Sequence, residues 1–266
     1  SDLTIIYGVL GFLLASYSVI ANDSAQTLGT FIASNRETKW YWQWLVMSSV
    51  LVATLTYGYM SGDIAHGRLN HIPLPQQFEW YHLAAPALLL GLTKFGVPVS
   101  TTILTLSVFS TGFVLETCLL WHQWLAHDIA NVAVFLPRGE ALPLWMFISF
   151  VVILVVGLSL LFYNRGGKIQ EIVLSKSGTR FMRSATIIDL AYALVLWYFK
   201  QYNDIPMSTT WVFVGLLCGR ELAVYRKFNP EGRGPRVIFP MLLSDFMKMM
   251  LGLALSIILV WAIDSL

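Results

Sequence analysis

Ala21-Asn22-Asp23-Ser24-Ala25-Gln26-Thr27-Leu28-Gly29-Thr30 closes an apolar run in which Tyr7 to Ala21 carries no formal charge. Two amides, a carboxylate and two hydroxyls then arrive between Asn22 and Thr27. What this stretch does depends on what surrounds it. The chain has 266 residues, of which 56% are hydrophobic and only 12% charged, with a mean hydropathy of +0.66. A soluble domain averages about 25% charged residues. Such a chain cannot cover a water-facing surface with polar groups. It is expected to be an integral, multi-pass protein of a plasma or bacterial inner membrane, with the lipid bilayer as its first partner. A spanning helix needs about 20 mostly apolar residues, so the length allows about eight or nine transmembrane or re-entrant segments. The apolar runs are continuous rather than alternating, which indicates an all-α architecture and not a barrel. The first run has no basic leader or small-residue cleavage site and is expected to be a retained membrane segment.

Charge assigns the loops. Residues 164–183 carry Arg165, Lys168, Lys176, Arg180 and Arg183, and residues 226–236 carry Arg226, Lys227, Arg233 and Arg236. Both are expected on the cytoplasmic side, and the loop at 62–80, with Arg68 alone, outside. A net charge of +2 gives no reason to expect nucleic acid. Cys118 and Cys218 fall in apolar runs and read as free thiols. His66, His71 and His82 read as loop or interfacial residues. His122 and His127 are five apart, which does not stack them on one helix face, so no haem site is expected. Nothing has the spacing of a P-loop, a nucleophile elbow or a zinc motif. No enzymatic activity and no cofactor are expected.

The sequence repeats itself. Val97-Pro98-Val99-Ser100-Thr101-Thr102 and Ile205-Pro206-Met207-Ser208-Thr209-Thr210 share Pro-apolar-Ser-Thr-Thr, and Ser100 and Ser208 lie 108 positions apart. Asp23 and Asp128 are 105 positions apart, each followed by Ala (Ala25, Ala130) and then an amide (Gln26, Asn131). An Asp-x-Ala-amide element therefore precedes a Pro-x-Ser-Thr-Thr element twice, in the same order. The equivalent loops at 62–80 and 164–183 differ in charge, so they are expected on opposite sides, and the halves inverted. The expected units are 1–112, the first inverted repeat; 113–236, the second; and 237–266, an amphipathic lead-in with a C-terminal transmembrane helix. Inverted repeats are a transporter design, with ligand sites where broken helices of the two halves meet.

The element chemistry agrees. A charged side chain at the bilayer centre costs at least about 2.5–3.5 kcal/mol, so two matched Asp make a poor accident. Carboxylates, amides and freed carbonyls are hard oxygen donors suited to Na⁺, and an Asp can instead take H⁺. Proline followed by hydroxyl residues suits a helix start, whose free N–H groups and positive dipole end attract an anion. Lys94 and Arg220 lie near the two Ser-Thr-Thr elements in sequence and are candidates to attract that anion.

These stretches resemble the paired Gly-Ala-Asn-Asp-x-x-Asn-Ala and Pro-Val-Ser-Thr-Thr-His signatures of the inorganic phosphate transporter (PiT) family, which includes sulfate-carrying relatives. The resemblance covers roughly residues 15–110 and 120–225. It implies cation-coupled uptake of inorganic phosphate or a similar oxyanion. Asn22, Asp23, Gln26, Asp128 and Asn131 would hold the coupling ion, with Asp23 and Asp128 as Na⁺ ligands if sodium couples. Ser100, Thr101, Thr102, Ser208, Thr209 and Thr210 would hold the anion. His127 occupies a signature position. Where the signatures carry Gly, Asn or His, this chain has Ala21, Gln26, His127, Ile103 and Trp211. The alternative expectation is a non-transporting membrane subunit of a larger complex that keeps the fold. A homo-oligomer is compatible with either reading.

Overall fold

A computed structural model describes residues 2–65, 67, 69, 72, 74–98, 130–138, 141–175, 182–196, 198–199, 208–227 and 234–265. The described residues form helices and turns, with no strand among them. In chain order the helices are α1 (Asp2–Ser18), a π-helical turn (Val19–Ser24), α2 (Ala25–Thr27), α3 (Gly29–Ser34), α4 (Trp40–Met60), a 3₁₀ turn (Trp80–Leu83), α5 (Ala84–Lys94), α6 (Ala130–Ala133), α7 (Leu144–Tyr163), α8 (Gln170–Leu174), α9 (Met182–Leu196), α10 (Thr209–Lys227) and α11 (Pro235–Asp264).

Among the described residues three helices are long and apolar enough to cross a membrane: Asp2–Thr27, Leu144–Tyr163 and Pro235–Ile263. The expected count of eight or nine is met only in part. α4 and α10 have the length, at 21 and 19 residues, but not the apolarity. Trp, Tyr, Gln and Ser dilute α4. Arg220, Glu221, Arg226 and Lys227 dilute α10. The segment from 237 to 248, expected as an amphipathic lead-in, is continuous with the last helix and includes Pro240. The outward faces are apolar: Ile5, Val9 and Leu13 on α1, Val152, Val156 and Leu160 on α7, and Leu243, Met247 and Ile258 on α11 are all exposed.

α4 and α7 are the central pair, and ring contacts fix their direction. Trp40, at the start of α4, meets Tyr163, at the end of α7, edge-to-face at 5.6 Å. Tyr59, near the end of α4, stacks on Phe147 at 4.2 Å, near the start of α7. Midway, Trp44 Nε1 donates to the Val155 carbonyl at 2.9 Å. The two helices are antiparallel. Residues 164–169 therefore lie at one end of the pair, called here the basic end, and residues 61–65 at the other. At the basic end Arg165 Nη1 donates to the Arg36 carbonyl at 2.8 Å.

α1 runs parallel to α7. Phe12 meets Phe150 at 5.8 Å, and Ile20 sits against Gly157. α5 runs the same way: Phe78 lies on Gly8, and Ser18 Oγ donates to the Pro86 carbonyl at 3.2 Å. At the end opposite the basic end, Arg138 Nη1 donates to the carbonyls of Leu69 (3.2 Å) and Ile72 (2.7 Å). Burial pushes this guanidinium below the usual arginine pKa.

α4 and α7 stop by the same device. The Asp63 N–H bonds the Gly58 carbonyl and the Gly62 N–H bonds that of Tyr59, with Gly62 left-handed at φ +78°. In α7 the Gly166 N–H bonds the Leu161 carbonyl and the Arg165 N–H that of Phe162, with Arg165 at φ +54°. Both are Schellman motifs, in which a left-handed residue lets two amides fold back onto orphan carbonyls. The two left-handed residues, 62 and 165, are 103 positions apart, close to the sequence repeat.

Candidate functional site

The opening stretch is where α1 stops being an α-helix. Val19–Ser24 forms a π-helical turn, and the Ala25 N–H bonds the carbonyl of Ile20, five residues back. Such a turn takes in one extra residue and disturbs the α ladder, a geometry common at functional sites. The local sequence invites it. β-branched Val19 and Ile20 lose side-chain freedom in an α-helix, and Asn, Asp and Ser offer the backbone competing hydrogen bonds.

The chain does not double back as a hairpin here. The Leu28 N–H still bonds the Ser24 carbonyl at 2.9 Å, and the Ile32 N–H bonds that of Leu28 at 2.8 Å. It does turn aside. Ile20 meets Gly157, and Phe31 meets Phe162 at 6.3 Å. Between Ile20 and Phe31 a straight α-helix would rise about 16 Å, whereas the matching advance along α7 is about 7.5 Å. Residues 24–34 thus run across the bundle. The π turn faces the half of α7 toward the basic end, with Ile20 opposite Gly157.

Within the turn the expected cation-binding residues of the first repeat are buried together. Asn22 is 0%, Asp23 3% and Gln26 2% exposed. Gln26 Nε2 donates to Asn22 Oδ1 at 3.0 Å, and Asn22 Nδ2 donates to Asp23 Oδ1 at 2.7 Å. Asn22 alone of the two amides reaches the carboxylate, and Gln26 holds the Asn22 side chain in place from behind. Asn131, their counterpart in the second repeat, is fully buried on α6, which packs against α1. Asp128 and His127 lie outside the described residues.

Ser208 caps α10. Its Oγ accepts the Trp211 N–H at 3.4 Å and its carbonyl the Val212 N–H at 3.0 Å. This is the N-cap role for which serine is favoured. Ser208 and Thr210 are buried, and the Tyr192 hydroxyl donates to the Thr209 carbonyl at 3.4 Å. α2 packs against α10, and Phe213 lies within reach of Gly29. The Asn-Asp-Gln element of the first half therefore sits against the helix opened by the Ser-Thr-Thr of the second. Ser100, Thr101 and Thr102 lie outside the described residues.

The two candidate cations are not part of this cluster. Lys94 ends α5 at the basic end and lines a cavity whose wall includes Ile20 and Ala21 of the π turn, but none of Asn22, Asp23 and Gln26. Arg220 lies about 16 Å along α10 from Thr209 by helical rise. It pairs there with buried Glu221 at 3.9 Å. His82, expected at an interface, is buried instead. Its Nδ1 accepts the Glu79 N–H at 2.9 Å, and its ring lies against Phe78 and Tyr81.

Sequence reasoning missed Gln170. It is 3% exposed, and its Nε2 donates to the Gly29 carbonyl at 2.7 Å, tying α8 to the α2–α3 junction. Gly29 admits this contact because an added Cβ would stand 2.7 Å from Val173 and 3.1 Å from Gln170 Oε1. The only signal was a polar residue after the apolar Ile169 in a stretch otherwise read as a connector. Asp245 is buried on α11.

Among the described residues no three His, Cys, Asp or Glu side chains gather as a metal cluster. No family model, no curated protein and no solved structure matches the chain.

Proposed function

We propose that this chain is a multi-pass membrane transporter of inorganic phosphate or a similar oxyanion, driven by Na⁺ or H⁺ through alternating access between two inverted repeats. The observation that carries the reading is the buried Gln26–Asn22–Asp23 hydrogen-bond chain at the π turn, followed directly by α2, which packs against α10. A carboxyl group and two side-chain amides buried together inside an apolar bundle offer hard oxygen donors to a cation. A helix start with hydroxyl side chains beside it suits an anion. Bound together, each ion offsets the other's charge in a medium where an isolated ion is costly. Asn22, Asp23 and Gln26, with Asp128 and Asn131 from the second half, take the coupling ion. Ser208, Thr209 and Thr210, with Ser100, Thr101 and Thr102, take the anion. The antiparallel α4 and α7, which hold equivalent places in the repeat and end in the same motif, support the inversion.

Coupling of this kind is reciprocal: the factor by which the cation raises anion affinity equals the factor by which the anion raises cation affinity. The test is calorimetric titration of phosphate and sulfate into the purified chain, at low and high Na⁺ and at two pH values. Affinity for one anion that rises with Na⁺ or with H⁺ is expected, and is lost in Asp23→Asn. Binding that ignores both cations refutes the coupling.

A further inference from the structure

At the basic end, a cavity of about 580 Å³ opens between α1, α5, α7 and the 164–171 turn. Its lining changes character along the bundle axis. Tyr17, Ile20 and Leu160 line the part farther from the basic end, and Lys94, Asn164, Lys168 and Glu171 the part at that end. Among the described residues Lys94 has no carboxylate partner. Lys168 has only Glu171, at 3.9 Å between side chains that are 67% and 73% exposed. So open an ion pair contributes little and leaves the lysine available.

We propose that this cavity holds one anionic phospholipid of the cytoplasmic leaflet, its phosphate between Lys94 and Lys168 and the first methylenes of a chain against Tyr17, Ile20 and Leu160. The inference rests on the membrane part of the proposed function and not on transport. Basic pockets between membrane helices on the cytoplasmic side are suited to such headgroups, and lysine stems lie along apolar surface while the ammonium reaches the interface. The volume falls in the range of small-molecule sites. A mouth for an anion held at Ser208, Thr209 and Thr210 would be walled in part by α10, yet no α10 residue lines this cavity. Ile20 is both a wall of the cavity and part of the π turn, so an occupied cavity also braces the turn that carries Asn22 and Asp23.

The test uses the full chain, delipidated in detergent. Phosphatidylglycerol, phosphatidylcholine and inorganic phosphate are titrated separately, with bound copies counted by native mass spectrometry and thermal unfolding followed in parallel. One tightly bound phosphatidylglycerol is expected. Its affinity should fall about 25-fold in Lys94→Gln with Lys168→Gln, from about fivefold for each lysine near an anionic headgroup. Lys39→Gln with Lys227→Gln, the same charge change away from the cavity, should leave binding unchanged. Leu90→Trp, which fills the cavity and keeps both lysines, should abolish it. Equal binding of phosphatidylcholine, or undiminished phosphatidylglycerol binding in the Lys94/Lys168 variant, overturns the proposal. Inorganic phosphate held by the same two lysines assigns the site to the free anion and overturns the lipid. Failure of anion uptake with phosphatidylglycerol binding intact sinks transport alone.

Discussion

Replacing Gly157 by alanine puts a methyl group 2.0 Å from Cδ1 of Ile20, 3.3 Å from its Cγ1 and 3.7 Å from its Cγ2. Carbon atoms in contact sit about 3.5–4.0 Å apart, so Cδ1 must retreat by roughly 1.5 Å. Ile20 is buried, and it belongs to the π turn, so the retreat pushes on the segment that carries Asn22 and Asp23. Overpacking of this kind costs about 1–3 kcal/mol. Against it, alanine is about 1 kcal/mol better than glycine inside a helix. The net effect in the native chain is a loss of up to about 2 kcal/mol. Ile20→Val alone costs about 0.5–1.5 kcal/mol, but it removes Cδ1 and with it the collision. In that background the helix propensity of alanine is free to act, and Gly157→Ala should stabilise by about 1 kcal/mol. The sign of one substitution thus reverses with the identity of its neighbour. A double-mutant cycle by equilibrium unfolding in mixed detergent micelles measures it, with tryptophan fluorescence as the readout. Equal effects of Gly157→Ala in both backgrounds would refute the register between α1 and α7.

Three further outcomes follow from the fold. Gly62→Ala, at φ +78° with nothing within 4 Å of the new Cβ, should cost about 1–2 kcal/mol of backbone strain, visible in the same unfolding assay. Gln170→Ala removes the 2.7 Å donor to the Gly29 carbonyl in a buried setting and should lower stability by about 1–3 kcal/mol; an unchanged unfolding midpoint would show that α8 does not anchor the α2–α3 junction. With Cys118 and Cys218 replaced by alanine, single cysteines at Leu74 and Lys168 should react with impermeant maleimide from opposite sides of a sealed vesicle. Labelling from one side would contradict the antiparallel course of α4 and α7.

Runs read from the sequence return as helices α1, α4, α7, α10 and α11; α1, α7 and α11 are apolar enough to cross a bilayer, and such a stretch has few alternatives to a helix. The polar cluster at Asn22–Gln26 was legible as an interruption, since no apolar helix carries a carboxylate and two amides without a reason. Its form was not legible. A hairpin and a π turn have the same local sequence, and what separates them is Ile20 against Gly157 and Phe31 against Phe162, contacts between residues far apart in the chain. α11 passes through Pro240, since a proline in a helix costs one hydrogen bond and a kink rather than the whole element. Gln170 was invisible because its partner is a backbone carbonyl, which no side-chain pattern announces. Arg220 looked near the Ser-Thr-Thr motif when counted in residues, but a helix turns that count into distance.

Transport itself is tested by radiolabelled phosphate and sulfate uptake into tight proteoliposomes under an imposed Na⁺ or H⁺ gradient, comparing the native chain with Asp23→Asn plus Asp128→Asn. Gradient-driven uptake of one anion, abolished in the double variant while the protein stays folded, is the predicted result. Absence of uptake of either anion under both gradients would contradict transport and favour a subunit that keeps the fold for assembly.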